Sequence, residues 1–304
     1  MGRSSETKQP LRGAMTALVT PFDDQGRVDR RALGRIVAWQ IERGIHGLVP
    51  CGTTGEGATL DEEEKHEVIA ETVQVAAGRV PVVAGCGTND TRTTLAGARL
   101  AARAGADALL VVTPYYNKPN PSGMIAHFEA VAGETDLPVV VYNVPGRTGQ
   151  NLGVELTLRL AAIPGVAGVK EASGNLEQIA AILGARPAGF AVLSGDDALA
   201  LPTVALGAEG LISVVSNAAP GETAELLSAA LAGDLVRARS LHFRLLPLMR
   251  ANFLESNPVP IKSAMHLLGF CSAAVRPPLG PPAAATVEAL RAALERAALV
   301  GAER

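Results

Sequence analysis

From residue 13 to about residue 233 one unit recurs: a short apolar run, a Gly/Pro/Thr-rich turn, then an amphipathic helix. The apolar runs are expected to form strands at 14–19, 47–50, 80–85, 108–112, 138–142, 166–170, 191–193 and 211–214. Between them lie helical stretches such as 30–43, 61–77, 91–104 and 176–183. Nearly continuous apolar strands that alternate with helices imply a parallel sheet covered on both faces. Eight such units within about 220 residues point to an α/β fold, a (β/α)8 TIM barrel, rather than an open sheet. The fingerprints of an open nucleotide-binding sheet are missing. Gly85-Cys86-Gly87-Thr88-Asn89-Asp90 starts like a dinucleotide loop, but Asp90 stands where the third glycine belongs, and no Walker A sequence occurs.

Beyond residue 233 the strands stop and the pattern becomes helical, at about 235–250, 259–268 and 284–299. The prolines Pro277, Pro278, Pro281 and Pro282 separate the last two helices. The expected organisation is a loose polar tail over 1–10, a barrel over 11–233, and a C-terminal helical appendage over 234–304 packed on the barrel. A chain of 304 residues with 48% hydrophobic content can bury such a core. The net charge of -3 and the 3% aromatic content leave neither a basic footprint nor stacking surfaces for nucleic acid. The N-terminus lacks the apolar core of a signal peptide, and no run approaches the roughly 20 apolar residues of a membrane span. Cys51, Cys86 and Cys271 form no CxxC pair and are expected to be free thiols in a cytoplasmic protein. Cys51, beside Gly52, is close enough to the expected pocket to be oxidation-sensitive.

The chemistry centres on Lys170, at the end of the apolar run 166–169. Burial disfavours an ammonium, so such a lysine either snorkels to solvent or serves as a nucleophile. Strand alternation would place Val166, Gly168 and Lys170 on one face and Glu171 on the other, with Gly168 leaving open space beside the lysine stem. A neutral amine there attacks ketones and forms a Schiff base.

Polar residues just past strand ends converge on the mouth of a barrel of this kind. The segments there are Gly52-Thr53-Thr54-Gly55-Glu56, Thr113-Pro114-Tyr115-Tyr116-Asn117, Tyr142-Asn143-Val144-Pro145-Gly146-Arg147-Thr148-Gly149, and Lys170-Glu171-Ala172-Ser173-Gly174-Asn175. Each has an ordinary explanation. Gly-Thr-Thr-Gly is common turn chemistry, Thr59 and Glu62 suit a capping box, Tyr115 and Tyr116 suit hydrophobic plugs, and Arg147 suits a surface ion pair. Together they supply an amine, backbone amides and hydroxyls for a carboxylate, a guanidinium for a second acid, and tyrosines for proton transfer.

On these motifs, with Gly168-Val169-Lys170-Glu171-Ala172 and Leu193-Ser194-Gly195-Asp196-Asp197, the chain resembles the dihydrodipicolinate synthase family of lysine-dependent pyruvate aldolases. The resemblance runs from Gly13-Ala14-Met15-Thr16-Ala17 to the helical end. Glu255-Ser256-Asn257-Pro258-Val259-Pro260-Ile261-Lys262 looks like the synthase branch of that group. The resemblance implies that Lys170 forms a Schiff base with pyruvate, with no cofactor. It implies that Tyr142 relays protons, hydrogen-bonded to Thr53 and then to Tyr116 of a neighbouring subunit. Thr54 would hold the pyruvate carboxylate, Gly195 and Ile212 would line the pocket, and Arg147 would orient the second substrate, L-aspartate 4-semialdehyde. The implied product is 4-hydroxy-tetrahydrodipicolinate, on the way to diaminopimelate and lysine, and the implied assembly is a homotetramer built as a dimer of dimers.

One departure stands out. Feedback-inhibited members carry two histidines and a glutamate where this chain has Glu62, Lys65 and Thr93, while Asn89 and Tyr115 of the implied effector pocket are kept. Inhibition by lysine is therefore expected to be weak or absent, although Glu62 and Lys65 also read as plain exposed helix residues. The nearest rival is a sister aldolase acting on N-acetylneuraminate, keto-deoxy sugar acids or 4-hydroxy-2-oxoglutarate. Arg147 and the Asn257-Pro258 segment argue against it, since a sugar site favours neutral polar donors. A barrel without catalysis would not need the full set of reactive residues. A metal-dependent aldolase is disfavoured because His46, His66, His127, His242 and His266 are scattered.

Overall fold

The computed structural model describes residues 11–300. Its eight strands are β1 (Gly13–Ala17), β2 (Gly47–Val49), β3 (Val83–Gly85), β4 (Ala108–Val112), β5 (Val139–Asn143), β6 (Val166–Glu171), β7 (Ala191–Ser194) and β8 (Gly210–Ser213). All neighbouring strands pair in parallel, in the order β2-β1-β8-β7-β6-β5-β4-β3. A parallel bridge between Leu48 and Val82 joins the two end strands and closes the barrel. The third strand is shorter than expected for a local reason. Pro81 has no N–H to give, and the Val82 N–H donates to Asp107 Oδ2 at 2.9 Å instead of to a strand.

Every strand is apolar on both faces because each face meets a different core. Met15, Val49, Val83, Leu110, Val140, Leu193 and Ile212 point inward and fill the barrel. Leu48, Leu109, Val111, Val141, Val169, Val192 and Leu211 point outward, under the helices. Two buried apolar layers of this kind are what a parallel barrel requires.

The alternation fails once. Val139 pairs with Val166, but Val140 pairs with Gly168, so the register skips Ala167. Val166 consequently lies in the outer core with Val169, not on the Lys170 face as simple alternation predicts. An extra residue in one strand reverses every side chain beyond it. Gly168 does not leave open space either. A Cβ there would stand 2.5 Å from the Ala191 carbonyl oxygen, so the glycine lets β7 approach β6.

Helix starts follow cap chemistry, with one correction. The helix Glu62–Ala76 is capped by Asp61, whose side chain accepts from the Glu64 N–H, while Glu64 reaches back to the Asp61 N–H. The expected Thr59–Glu62 box does not form, because the Thr59 hydroxyl donates to the Glu56 carbonyl at 3.0 Å. Carboxylates of Asp90, Asp29 and Asp234 cap three other helices in the same way.

The C-terminal helices Leu235–Ala251, Val259–Leu267 and Ala284–Arg296 pack against the barrel and each other. Leu241, Leu245, Ile261, Met265, Leu290 and Leu294 join the same apolar cluster as the outer barrel layer. The tail expected over 1–10 lies outside the described residues. Among the described residues no helix is long and apolar enough to cross a membrane.

The three cysteines are unpaired. Cys51 is buried behind the mouth of the barrel rather than open to it, and burial pushes its thiol up to about 12. Cys86 is likewise pushed up to about 12. A buried thiol that stays protonated is unreactive, which overturns the expectation of an oxidation-sensitive Cys51.

Gly168→Ala should destabilise the fold by about 1–3 kcal/mol, because backbone on β7 must retreat to admit the methyl group. Urea denaturation monitored by circular dichroism measures this, and an unchanged midpoint would show that the β6–β7 contact is not tight.

Candidate active site

The cross-strand register of β5 and β6 sets Tyr142 beside Lys170, both facing the interior. Lys170 is 5% exposed, and its Nζ stands 4.2 Å from the centre of the Tyr142 ring. No ion pair among the described residues involves Lys170. Its neighbour Glu171 points through the opposite face of the strand. There Glu171 accepts from Asn143 Nδ2 at 2.8 Å, from Gln178 Nε2 at 3.3 Å and from the Ser173 N–H at 2.7 Å. The amine is thus held near an aromatic face, and among the described residues no carboxylate lies within ion-pairing distance of it.

Gly195 and Ile212 complete the wall from β7 and β8. The Gly195 N–H donates to the Glu171 carbonyl at 2.8 Å, which continues the strand pairing past Ser194. A Cβ at Gly195 would lie 2.6 Å from Ala172 Cβ and 3.1 Å from Lys170 Cε. This glycine, rather than Gly168, makes room for the lysine stem. Ile212 is buried and faces the same interior.

The loop 52–57 follows β2 and folds back on itself. The Gly57 N–H donates to the Gly52 carbonyl and the Glu56 N–H to the Thr53 carbonyl, both at 3.1 Å. Thr20 Oγ1 donates to the Gly55 carbonyl at 2.6 Å. Cys51 and Glu56 both adopt left-handed backbone, at φ 56° and 54°, which costs non-glycine residues about 1 kcal/mol or more each. Thr54 is buried, and its Oγ1 accepts from Asn257 Nδ2 at 3.0 Å. Thr53 is half-buried, and no hydrogen bond joins its hydroxyl to Tyr142 among the described residues.

Arg147 sits on the single helical turn Pro145–Thr148 that follows β5. Its side chain is exposed at the mouth, and Nη2 donates to the Asn257 carbonyl at 3.1 Å. Asn257 therefore touches both Thr54 and Arg147. Sequence reasoning included Asn257 in a motif but gave it no role. Its polar side chain just before Pro258, in an otherwise buried segment, is the signal that marks it.

Tyr116 does not plug the core. It is 88% exposed and adopts left-handed backbone at φ 71°. Its loop is tied down next door, where Asn117 Nδ2 donates to the Asn89 carbonyl at 2.7 Å. Tyr115 is half-buried on the same loop. Among the other effector-pocket candidates, Glu62 is exposed and Lys65 half-buried on the first turns of their helix. Thr93 is exposed, and its N–H donates to the capping Asp90 carboxylate at 2.9 Å.

The histidines stay apart, and the described residues contain no group of three or more His, Cys, Asp or Glu placed to hold a metal. His46 is a structural residue. Its Nδ1 accepts from the Ala14 N–H at 3.0 Å, at the opposite end of the barrel.

Comparison with known proteins agrees with this geometry. The model of the dihydrodipicolinate synthetase family matches residues 10–297. A 4-hydroxy-tetrahydrodipicolinate synthase of Maridesulfovibrio salexigens is 49% identical, covering 95% of this chain and 99% of its own. Another, from Thermomicrobium roseum, is 50% identical, covering 93% and 94%. The crystal structure of the Acinetobacter baumannii dihydrodipicolinate synthase in complex with pyruvate superposes with a TM-score of 0.93 at 42% identity, covering 95% of this chain and 99% of that one. Eight parallel strands, a buried lysine facing a tyrosine at the barrel mouth, and this extent of likeness place the chain in the dihydrodipicolinate synthetase family.

Proposed function

We propose that this chain condenses pyruvate with L-aspartate 4-semialdehyde to give 4-hydroxy-tetrahydrodipicolinate, for diaminopimelate and lysine biosynthesis. The observation that carries the reading is Lys170, buried over the Tyr142 ring with no acid partner. The names of the relatives and the pyruvate complex of a 42% identical structure support the same choice.

In this reading the Lys170 amine adds to the ketone carbon of pyruvate, and water leaves to give the imine. Loss of a methyl proton makes an enamine, whose carbon attacks the aldehyde of the second substrate; the amino group of that substrate then adds to the re-formed imine carbon, which closes the ring and releases the Lys170 amine. Tyr142, within reach of the Lys170 head group, moves the protons. Thr54 and the amides of its loop hold the pyruvate carboxylate, while Gly195 and Ile212 shape the chamber. Arg147, exposed at the mouth, takes the carboxylate of the semialdehyde. The amine itself performs the activation, so the chemistry calls for no added cofactor. Three unpaired thiols suit a cytoplasmic location.

Purified protein should form product from the two substrates, and borohydride should trap a pyruvate adduct on Lys170. Lys170→Ala should abolish both. An adduct without product would move the second-substrate choice to a sister aldolase, whereas no adduct would sink the Schiff-base mechanism.

The exposed Tyr116 fits a tyrosine that reaches into a neighbouring subunit and completes the relay through Thr53. Val236 and Phe243, 74% and 66% exposed, lie on the helix Leu235–Ala251, and Leu206, 49% exposed, follows the helix Ala200–Ala205 packed against it. Two separate surfaces suit a homotetramer built as a dimer of dimers. Light scattering should give a tetramer mass, and a fully active monomer would contradict the shared tyrosine.

Glu62, Lys65 and Thr93 lack the ring nitrogens and the third-helix carboxylate of feedback-inhibited relatives, while Asn89 and Tyr115 persist. Lysine should therefore inhibit weakly or not at all. Half-inhibition at sub-millimolar lysine would refute this.

A further inference from the structure

A second lysine is buried more completely than Lys170 and has no part in the chemistry above. Lys262, on the helix Val259–Leu267, is fully buried, and its Nζ donates to Glu56 Oε1 at 2.7 Å. Glu56 is the last residue of Gly52-Thr53-Thr54-Gly55-Glu56, and its side chain is 1% exposed. Its other oxygen accepts from the Arg276 N–H at 2.8 Å. Lys262 Nζ also stands 4.0 Å from the centre of the Phe22 ring, and the Arg276 guanidinium packs on the same ring at 4.4 Å.

The pair is costly as a stabilising device. Removing two charges from water takes several kcal/mol per ion, and well-packed apolar residues often serve stability as well. What the pair does secure is geometry. Glu56 holds left-handed backbone at φ 54° and turns the chain two residues after Thr54. Asn257, from the same C-terminal segment as Lys262, donates to Thr54 Oγ1 two residues earlier. The Arg276 side chain binds Glu64 and the Thr59 and Gly26 carbonyls, which pins the far end of the loop. The loop that is to receive the pyruvate carboxylate is therefore gripped at Thr54, Glu56 and Thr59 by residues outside the barrel.

We infer that Lys262 is a positioning residue: through Glu56 it holds the 52–57 loop in the shape that binds the pyruvate carboxylate. The inference rests on the reading of that loop as the pyruvate subsite. Lys262 acts on Glu56 and never touches the substrate, so its loss alters binding rather than the reactivity of the amine.

The test compares Lys262→Met and the double variant Lys262→Met/Glu56→Gln with wild type by steady-state kinetics, thermal denaturation and borohydride trapping of pyruvate on Lys170. Lys262→Met leaves a buried carboxylate without its cation, so a lower melting temperature is expected. The double variant removes that unpaired charge and should recover much of the melting temperature. It should still show a KM for pyruvate raised about tenfold or more, with kcat within about threefold of wild type. A purely structural role predicts the opposite split, with an unchanged KM and a lower kcat that tracks the folded fraction, and would overturn the inference. A double variant that does not fold also overturns it, since the pair would then be a requirement of the fold. Wild type that gives no trapped adduct would remove the pyruvate reading itself, whereas active wild type beside variants of normal KM overturns this inference alone.

Discussion

The register between β5 and β6 is the constraint on which the rest of the site depends. One skipped residue, Ala167, converts a strand that begins with Val166 facing the helices into one that ends with Lys170 facing the interior. Without the skip, the face of Val166 would continue to Lys170, and the amine would enter the layer between sheet and helices. The carboxylate of Glu171 would then turn inward. The skip separates the two charges through the wall of the barrel, where Glu171 finds three donors and Lys170 finds an aromatic ring. A buried group is tolerable when it is hydrogen-bonded, and an amine keeps its lone pair available when it is not ion-paired. The same strand meets both conditions on opposite faces.

The mouth of the barrel is not built by the barrel alone. Thr54, Glu56 and Arg147 come from loops after strands, but each is held by the C-terminal segment: Thr54 and Arg147 by Asn257, and Glu56 by Lys262 and Arg276. The appendage shares one apolar cluster with the outer barrel layer, so these polar anchors rest on a rigid support. Glu64 illustrates how tightly the pieces interlock. It completes the cap of its own helix and binds Arg276, whose guanidinium holds its carboxyl below the usual carboxylate range. Preorganisation of this kind is how a loop with two left-handed non-glycine residues keeps a single shape.

Much of this was legible beforehand. The apolar runs located all eight strands, because strands buried on both faces leave an unbroken apolar signature, and the strand-end positions marked Lys170, Tyr142, Thr53, Thr54 and Arg147 for the mouth. Signals that depend on a partner distant in the chain were not legible. The Thr59–Glu62 box failed because the Thr59 hydroxyl was already committed to Glu56, and Cys51 looked reactive because its neighbour Gly52 lines a loop, while its own thiol turns outward under the helices. Tyr116 left two readings open in the sequence, a hydrophobic plug or a residue reaching a neighbouring subunit, and its exposure removes the first.

Local sequence thus determined the element order, the barrel class and the lysine that ends a buried strand, since strand and helix periodicities and strand-end placement are properties of short windows. Tertiary structure decided which way Lys170 faces, which glycine makes room for it, and what secures the loop opposite. Those outcomes depend on a one-residue register skip against β5, on the approach of β7, and on contacts between residues about 200 positions apart. No local window contains both partners of such a contact, so only the closed barrel with its appendage in place can specify them.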